Sequence, residues 1–263
     1  MPLLDPILLK TRLGELAGRF DIDALAVCDS TNSELLRRAE AGAPAGSVVV
    51  ADRQTAGRGR RGRSWLSSPE RSLTFSLLWR FAVLPAGLGG LSLAVGAALA
   101  RALEALGARG IGLKWPNDVL LATADGDYAK LAGVLVELTS DRRGCQAVIG
   151  IGLNLGQPVD ELAQPAAGLD RAGLAAVDRH AVLAAILREL AMALDRFAEA
   201  GFAALRADWQ SRHVWQERPV QVLGEGEPLA GVCLGADADG ALLLQTAAGV
   251  QRIHSGEVSL RPA

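Results

Sequence analysis
The chain has 263 residues, a net charge of −2 and a composition that is half hydrophobic, enough for a core that needs no disulfide or metal staple. That balance argues against a broad, sequence-independent nucleic-acid footprint, which needs clustered excess Lys and Arg. The apolar stretch from Leu84 to Leu99 is broken by Pro85 and several glycines, and Met1-Pro2-Leu3-Leu4-Asp5 does not open a leader, so no membrane is expected and the location is read as cytoplasmic.

Three cysteines (Cys28, Cys145, Cys233) and three histidines (His180, His213, His254) are too scattered for a disulfide framework or a zinc site, and no metal ligand set can be named. In chain order, Ile7 to Phe20 has the apolar spacing of an amphipathic helix, and Ala24 to Cys28 reads as a strand. Asp29-Ser30-Thr31-Asn32 then offers capping chemistry, with Glu34 three residues after Thr31, before a helix from Ser33 to Ala41. Gly46 to Ala51 is a Val-rich strand, and Ser72 to Trp79 alternates as a second one should. Leu91 to Leu106 has helical spacing and ends at Gly107. Ile111 to Trp115, Gly133 to Leu138 and Gln146 to Asn154 are further short apolar runs. Gly156 to Gly173 reads as a loop, and Asp178 to Trp209 as one long helix. From Arg218 onward, runs at Val220–Val222, Gly231–Leu234, Ala241–Gln245, Gln251–Ile253 and Val258–Leu260 predict a small all-β barrel.

Four stretches could carry chemistry. Gly57-Arg58-Gly59-Arg60-Arg61-Gly62 matches a dinucleotide fingerprint formally, but Ser64-Trp65-Leu66-Ser67-Ser68-Pro69 does not open a helix and no acid lies about twenty residues on. Glycines that allow close approach and guanidinium groups that pair with phosphate or carboxylate suit an anion-binding lid, mobile when empty; a solvated basic turn is the alternative. In Lys114-Trp115-Pro116-Asn117-Asp118, Pro116 makes Trp115 extended and holds Lys114 and Asp118 near one place. This is either an ordinary strand-end turn or a cation for phosphate beside a carboxylate that assists magnesium. Lys130-Leu131-Ala132-Gly133 places a lysine ahead of an apolar strand, and Gly150-Ile151-Gly152-Leu153-Asn154 suits either a base edge or the start of a turn.

Taken together and in this order, Ser30-Thr31-Asn32, Gln54 with Gly57 to Trp65, Lys114 to Asp118, Lys130 to Gly133 and Gly150 to Asn154 closely resemble the biotin-protein ligase family, over about Val27 to Leu260. The resemblance implies an α+β fold: a mixed sheet flanked by helices, the class II synthetase-like core of biotin and lipoate ligases, with a C-terminal SH3-like β-barrel. It divides the chain into residues 1–214 and 215–263. It also implies that biotin and ATP, with Mg2+, give biotinyl-5'-adenylate, from which a lysine of a biotin carboxyl carrier protein takes the biotin. Too few residues precede the first strand for the family's DNA-binding repressor domain, so a monofunctional enzyme is expected, with no nucleic-acid partner and with homodimer formation left open.

By the same resemblance, Lys130, Arg60 and Lys114 are the catalytic cations. Ser30, Thr31, Asn32, Gln54, Gly57, Arg58, Gly59, Arg60, Lys130 and Gly133 form the biotin site. Arg58, Arg60, Arg61, Trp65, Lys114, Asn117 and Asn154 take the nucleotide. No aromatic follows Asn154 until Phe197, where some relatives cap the adenine with tryptophan. The polar Ser-Thr-Asn and Gln54 set favours a ureido ring over the dithiolane of a lipoate ligase, the rival enzyme. A single-strand nucleic-acid grip built on Arg58 to Arg63 and Trp65 is the rival of another class.

Overall fold
The computed structural model describes residues 2–82, 85–141, 144–158, 164–174, 178–224, 227–256 and 258–263. Helix α1 (Pro6–Leu13) starts at Asp5, whose carboxylate accepts from the Ile7 amide at 2.8 Å, and a 3-10 turn (Gly14–Arg19) leads into β1 (Asp21–Cys28). Helix α2 (Thr31–Glu40) then crosses to β2 (Ser47–Gln54). Next come β3 (Ser72–Phe81), α3 (Leu91–Ala105), β4 (Ile111–Lys114), β5 (Asp118–Ala122), β6 (Tyr128–Asp141) and β7 (Gly144–Asn154). Helices α4 (Arg179–Ala200) and α5 (Arg206–Gln210) precede β8 (Pro219–Leu223), β9 (Leu229–Ala236), β10 (Leu242–Thr246), β11 (Gly249–Ile253) and β12 (Ser259–Pro262).

The first seven strands form one mixed sheet in the order β1-β2-β3-β7-β6-β5-β4, in which only β1 and β2 run parallel. The last five form an antiparallel sheet, β11-β10-β9-β8-β12, as the SH3-like tail requires. Helix α2 lies on one face of the large sheet, seating Leu35 and Ala39 on Val49, Leu78 and Val148. Helix α3 covers the other face, with α4 behind it, and there Val48, Val50, Leu77, Ile149 and Ile151 join the main core. Val220, Val222, Leu242, Leu244 and Leu260 of the small sheet belong to that same contiguous core. The Trp115 indole donates to the Gly240 carbonyl at 3.1 Å, a second tie between the sheets. The three cysteines are free thiols, and among the described residues no helix is long and apolar enough to cross a membrane.

The sequence-based elements hold with five corrections. The helix expected from Ile7 to Phe20 is α-helical only to Leu13 and goes on as the 3-10 turn Gly14–Arg19, Gly14 having a φ of 60°. Ser30, not Thr31, caps α2: its hydroxyl accepts from the Ser33 amide, while Glu34 pairs with Arg37 and Arg38 and closes no capping box. Asp118 opens a strand instead of ending a turn, because β5 pairs back on β4, with Lys114 opposite Asp118. The long helix predicted to Trp209 stops at Gly201, whose φ of 65° no helix accommodates, and resumes as α5. The Gly156–Gly173 loop contains a 3-10 turn (Leu169–Ala172), and its residues 159–163 lie outside the described residues.

Candidate active site
Side chains alternate between the faces of a strand. On the α2 face, beyond the reach of α2 itself, the central strands carry small residues in register. Ser76 lies beside Gly150 and Gly150 beside Leu135; in the next row Thr74, Gly152 and Gly133 are neighbours. The result is a floor from which side chains have been removed, roofed by the Gly57–Trp65 loop. Between floor and roof lies a cavity of about 210 Å³, room for a ligand rather than a single structural water.

The floor glycines are seats. A Cβ on Gly150 would lie 2.1 Å from Asn32 Oδ1, and one on Gly152 would lie 2.2 Å from the Trp65 ring. A Cβ on Gly133 would meet the Lys130 side chain at 3.1 Å. The glycine spacing that suggested a base edge or a turn therefore admits an amide and an indole against the sheet.

One end of the cavity is the N-terminus of α2. Ser30, Thr31 and Asn32 are buried there and tied to their surroundings. Gln54 Oε1 accepts from the Thr31 amide at 2.7 Å and from its hydroxyl at 3.2 Å, and Ser76 Oγ lies 2.8 Å from Thr31 Oγ1 and 2.5 Å from Asn32 Oδ1. Asn32 Nδ2 donates to the Leu135 carbonyl and to Glu137 Oε2. Both of its donor hydrogens are thus committed to protein acceptors, which fixes Asn32 at this end of the pocket.

The roof is a tight hairpin. The Trp65 amide donates to the Gly57 carbonyl and the Gly59 amide to the Arg63 carbonyl, with a 3-10 turn (Arg60–Gly62) at the tip and Arg61 in the left-handed region at φ 59°. No helix follows, which confirms rejection of the dinucleotide fingerprint. The arginines diverge: Arg58 bonds Glu137 at 2.5 Å, whereas Arg60 reaches Asn117 Oδ1 and the Ser255 and Gly256 carbonyls of the small β module. Separate partners draw the Arg58 and Arg60 guanidinium groups apart.

Beside the floor sits a buried charge cluster. Asp118 bonds Lys130 at 2.6 Å and Lys114 at 3.0 Å. Burial alone would raise the Asp118 pKa, but the two ammonium groups overcome it and hold the carboxyl at about 2. Burial lowers the Lys114 pKa against the pull of Asp118. The Lys130 ammonium lies 5.9 Å from the centre of the Trp65 ring and Lys114 lies 5.5 Å from that of Trp215. Asn154 Nδ2 donates to the Lys130 and Ala167 carbonyls, bracing the strand end.

Ser30, Thr31, Asn32, Gln54, Arg58, Gly59, Arg60, Trp65, Asn117, Lys130, Gly133 and Asn154 all line the cavity. Three expected residues do not. Gly57 stands behind the wall, where a Cβ would strike the Trp65 carbonyl at 2.3 Å; Arg61 is at the outer tip; and Lys114 is buried beside Asp118, which stands between it and Lys130. Asp118, expected beside magnesium, spends its oxygens on two lysines. Among the described residues there is no cluster of three or more His, Cys, Asp or Glu side chains. The sequence-based site omitted Ser76 and Glu137; their signal was a hydroxyl and a carboxylate interrupting strands otherwise rich in apolar residues.

Residues 24–154 match the model of the biotin/lipoate A/B protein ligase family and residues 217–261 that of the biotin protein ligase C-terminal domain. The chain is 38% identical to the bifunctional ligase/repressor BirA of Escherichia coli over 99% of its own length and 81% of that protein's. It is 36% identical to the biotin--[acetyl-CoA-carboxylase] ligase of Mycobacterium tuberculosis over 98% and 96%. It belongs to the biotin protein ligase family. The fold agrees: the biotin protein ligase of Aquifex aeolicus in complex with biotin and ATP superposes with a TM-score of 0.78 at 34% identity, covering 92% of this chain and 99% of that one. As in that family, the catalytic core and the small β module are joined in one chain, and the module reaches the roof loop through Arg60.

Proposed function
We propose that this biotin protein ligase joins biotin to ATP as biotinyl-5'-adenylate, releasing pyrophosphate, and then passes the biotinyl group to a lysine of a biotin carboxyl carrier protein or domain. The observation that carries the reading is one cavity with a neutral hydrogen-bonding end at Ser30, Thr31 and Gln54, with Ser76 bonded behind Thr31, and a cationic rim of Arg58, Arg60 and Lys130. A ureido ring has one carbonyl and two N–H groups, each costly to bury unpaired, and the neutral end supplies hydroxyl and amide partners.

At the rim, a carboxylate oxygen of biotin attacks the α-phosphorus of ATP, and the bond to the bridging oxygen of pyrophosphate breaks. Both reactants are anionic, so preorganised cations offset their repulsion and the charge that develops in flight. Asp118, 2.6 Å from the Lys130 ammonium, holds that group in place at the rim. In the second step the carrier amine attacks the acyl carbon, AMP leaves, and the amine loses its proton to form the amide. The roof hairpin keeps the mixed anhydride dry until then. Magnesium bound to the ATP phosphates would supply further charge neutralisation there.

Trp65 and Asn154 lie on the side assigned to the nucleotide. Beyond Val134, whose amide donates to the Asn117 carbonyl, β6 pairs with β7 alone among the described strands, because β5 starts only at Asp118, opposite Gly133. This free edge beside Glu137 suits a docking carrier or a second copy of the chain. A division near residue 215 and a cytoplasmic location complete the reading. The test is incubation with biotin, MgATP and a biotin carrier domain, with lipoate in a parallel arm. Mass spectrometry should find one biotinyl group on a carrier lysine and none from lipoate; lipoylation, or no ATP-dependent transfer, would refute it.

A further inference from the structure
We infer that Glu137 is a positioning residue that couples the ureido end of the cavity to the arginine roof. The inference rests on the biotin-ligase function proposed above. A single carboxylate oxygen, Oε2, accepts from Asn32 Nδ2 at 2.8 Å and from Arg58 Nη2 at 2.5 Å. Asn32 is buried at the start of α2, Arg58 stands on the opposite loop, and Glu137 projects from β6 on the floor face, beside Val148. Among the described residues, Glu137 is the side chain that Asn32 and Arg58 both bond.

The position is hard to explain as strand chemistry. Glu137 is the one charged residue in Val134-Leu135-Val136-Glu137-Leu138, and its side chain is about a quarter exposed. A carboxylate there gains little as a surface ion pair, but it fixes two groups that must be preset before substrate arrives. The Asn32 amide is oriented so that Oδ1 faces Ser76, and with it the Ser76–Thr31–Gln54 chain keeps its direction. The Arg58 guanidinium is held by one of its five donors, leaving the rest of the fork for an incoming carboxylate or phosphate. Ordering both groups through one acceptor means that biotin captured at one end finds the roof already in place at the other.

The test compares Glu137→Ala and Glu137→Gln with the parent for biotin affinity by calorimetry, for KM of biotin and of ATP, and for thermal midpoint. Glu137→Ala should weaken biotin binding by about tenfold, the size of one charge-assisted hydrogen bond, and raise the biotin KM in step. Glu137→Gln, which keeps one acceptor, should recover part of that loss. In an Asn32→Ala, Arg58→Ala background the further change Glu137→Ala should alter biotin affinity by less than about twofold. Biotin binding by Glu137→Ala within twofold of the parent, or an undiminished effect in that background, overturns the inference. A parent chain that binds no biotin overturns the functional reading and this inference with it, so the two failures are told apart by the parent alone.

Discussion

The two faces of the seven-stranded sheet are built from the same strands and differ in what alternate positions carry. On the α3 face, Leu77, Ile149 and Ile151 fill space; on the other, their chain neighbours Ser76, Gly150 and Gly152 leave it. Packing on the first face holds the strands in register. That rigidity lets the second face keep a cavity whose walls are placed by hydrogen bonds and ion pairs. Function here arises by subtraction of side chains from one row of a sheet whose stability comes from the other.

Substitutions on the two faces should therefore separate stability from activity. The largest effect is expected from Leu77→Ala, which empties a fully buried position and should cost about 2–5 kcal/mol in denaturant unfolding while leaving the single-turnover adenylation rate of the folded fraction within about threefold. On the cavity side, Lys130→Ala should slow adenylate formation by about a hundredfold or more with little loss of stability, in line with removal of one preorganised cation. A rate within threefold of the parent would refute its assignment. Gly152→Ala places a methyl where the Trp65 ring rests and should lower the adenylation rate by about tenfold; an unchanged rate would show that the indole seat is dispensable. The mildest loss of turnover is expected for Arg60→Gly, which frees the hairpin from Asn117, Ser255 and Gly256 and should release biotinyl-adenylate to biotinylate bystander proteins. Retention of the intermediate as in the parent would contradict the role of the hairpin as a lid.

Strand alternation and helical spacing made most of the fold legible in the sequence, because those periods report which side of an element is buried. Where a backbone partner decided the outcome, they did not. Asp118 read as a turn residue since nothing local shows that β5 returns along β4. The site was legible as a set of motifs, but not as a wiring diagram. The role of Asn32 depends on Glu137, 105 residues away, and that of Lys114 on an Asp118 shared with Lys130. Gly150 and Gly152 announced that something comes close to the sheet; only the folded chain shows that it is an amide and an indole. Long-range polar pairs leave no periodic trace, so the chemistry of a site is less visible than its location.

The most direct test is made without a carrier. The enzyme mixed with biotin and MgATP and then passed through a desalting column should retain one equivalent of biotinyl-5'-adenylate, with pyrophosphate in the flow-through and neither formed by Lys130→Ala. An enzyme that binds biotin and ATP yet releases no pyrophosphate, or a Lys130→Ala variant that makes adenylate as fast as the parent, would contradict a cavity built to activate a carboxylate.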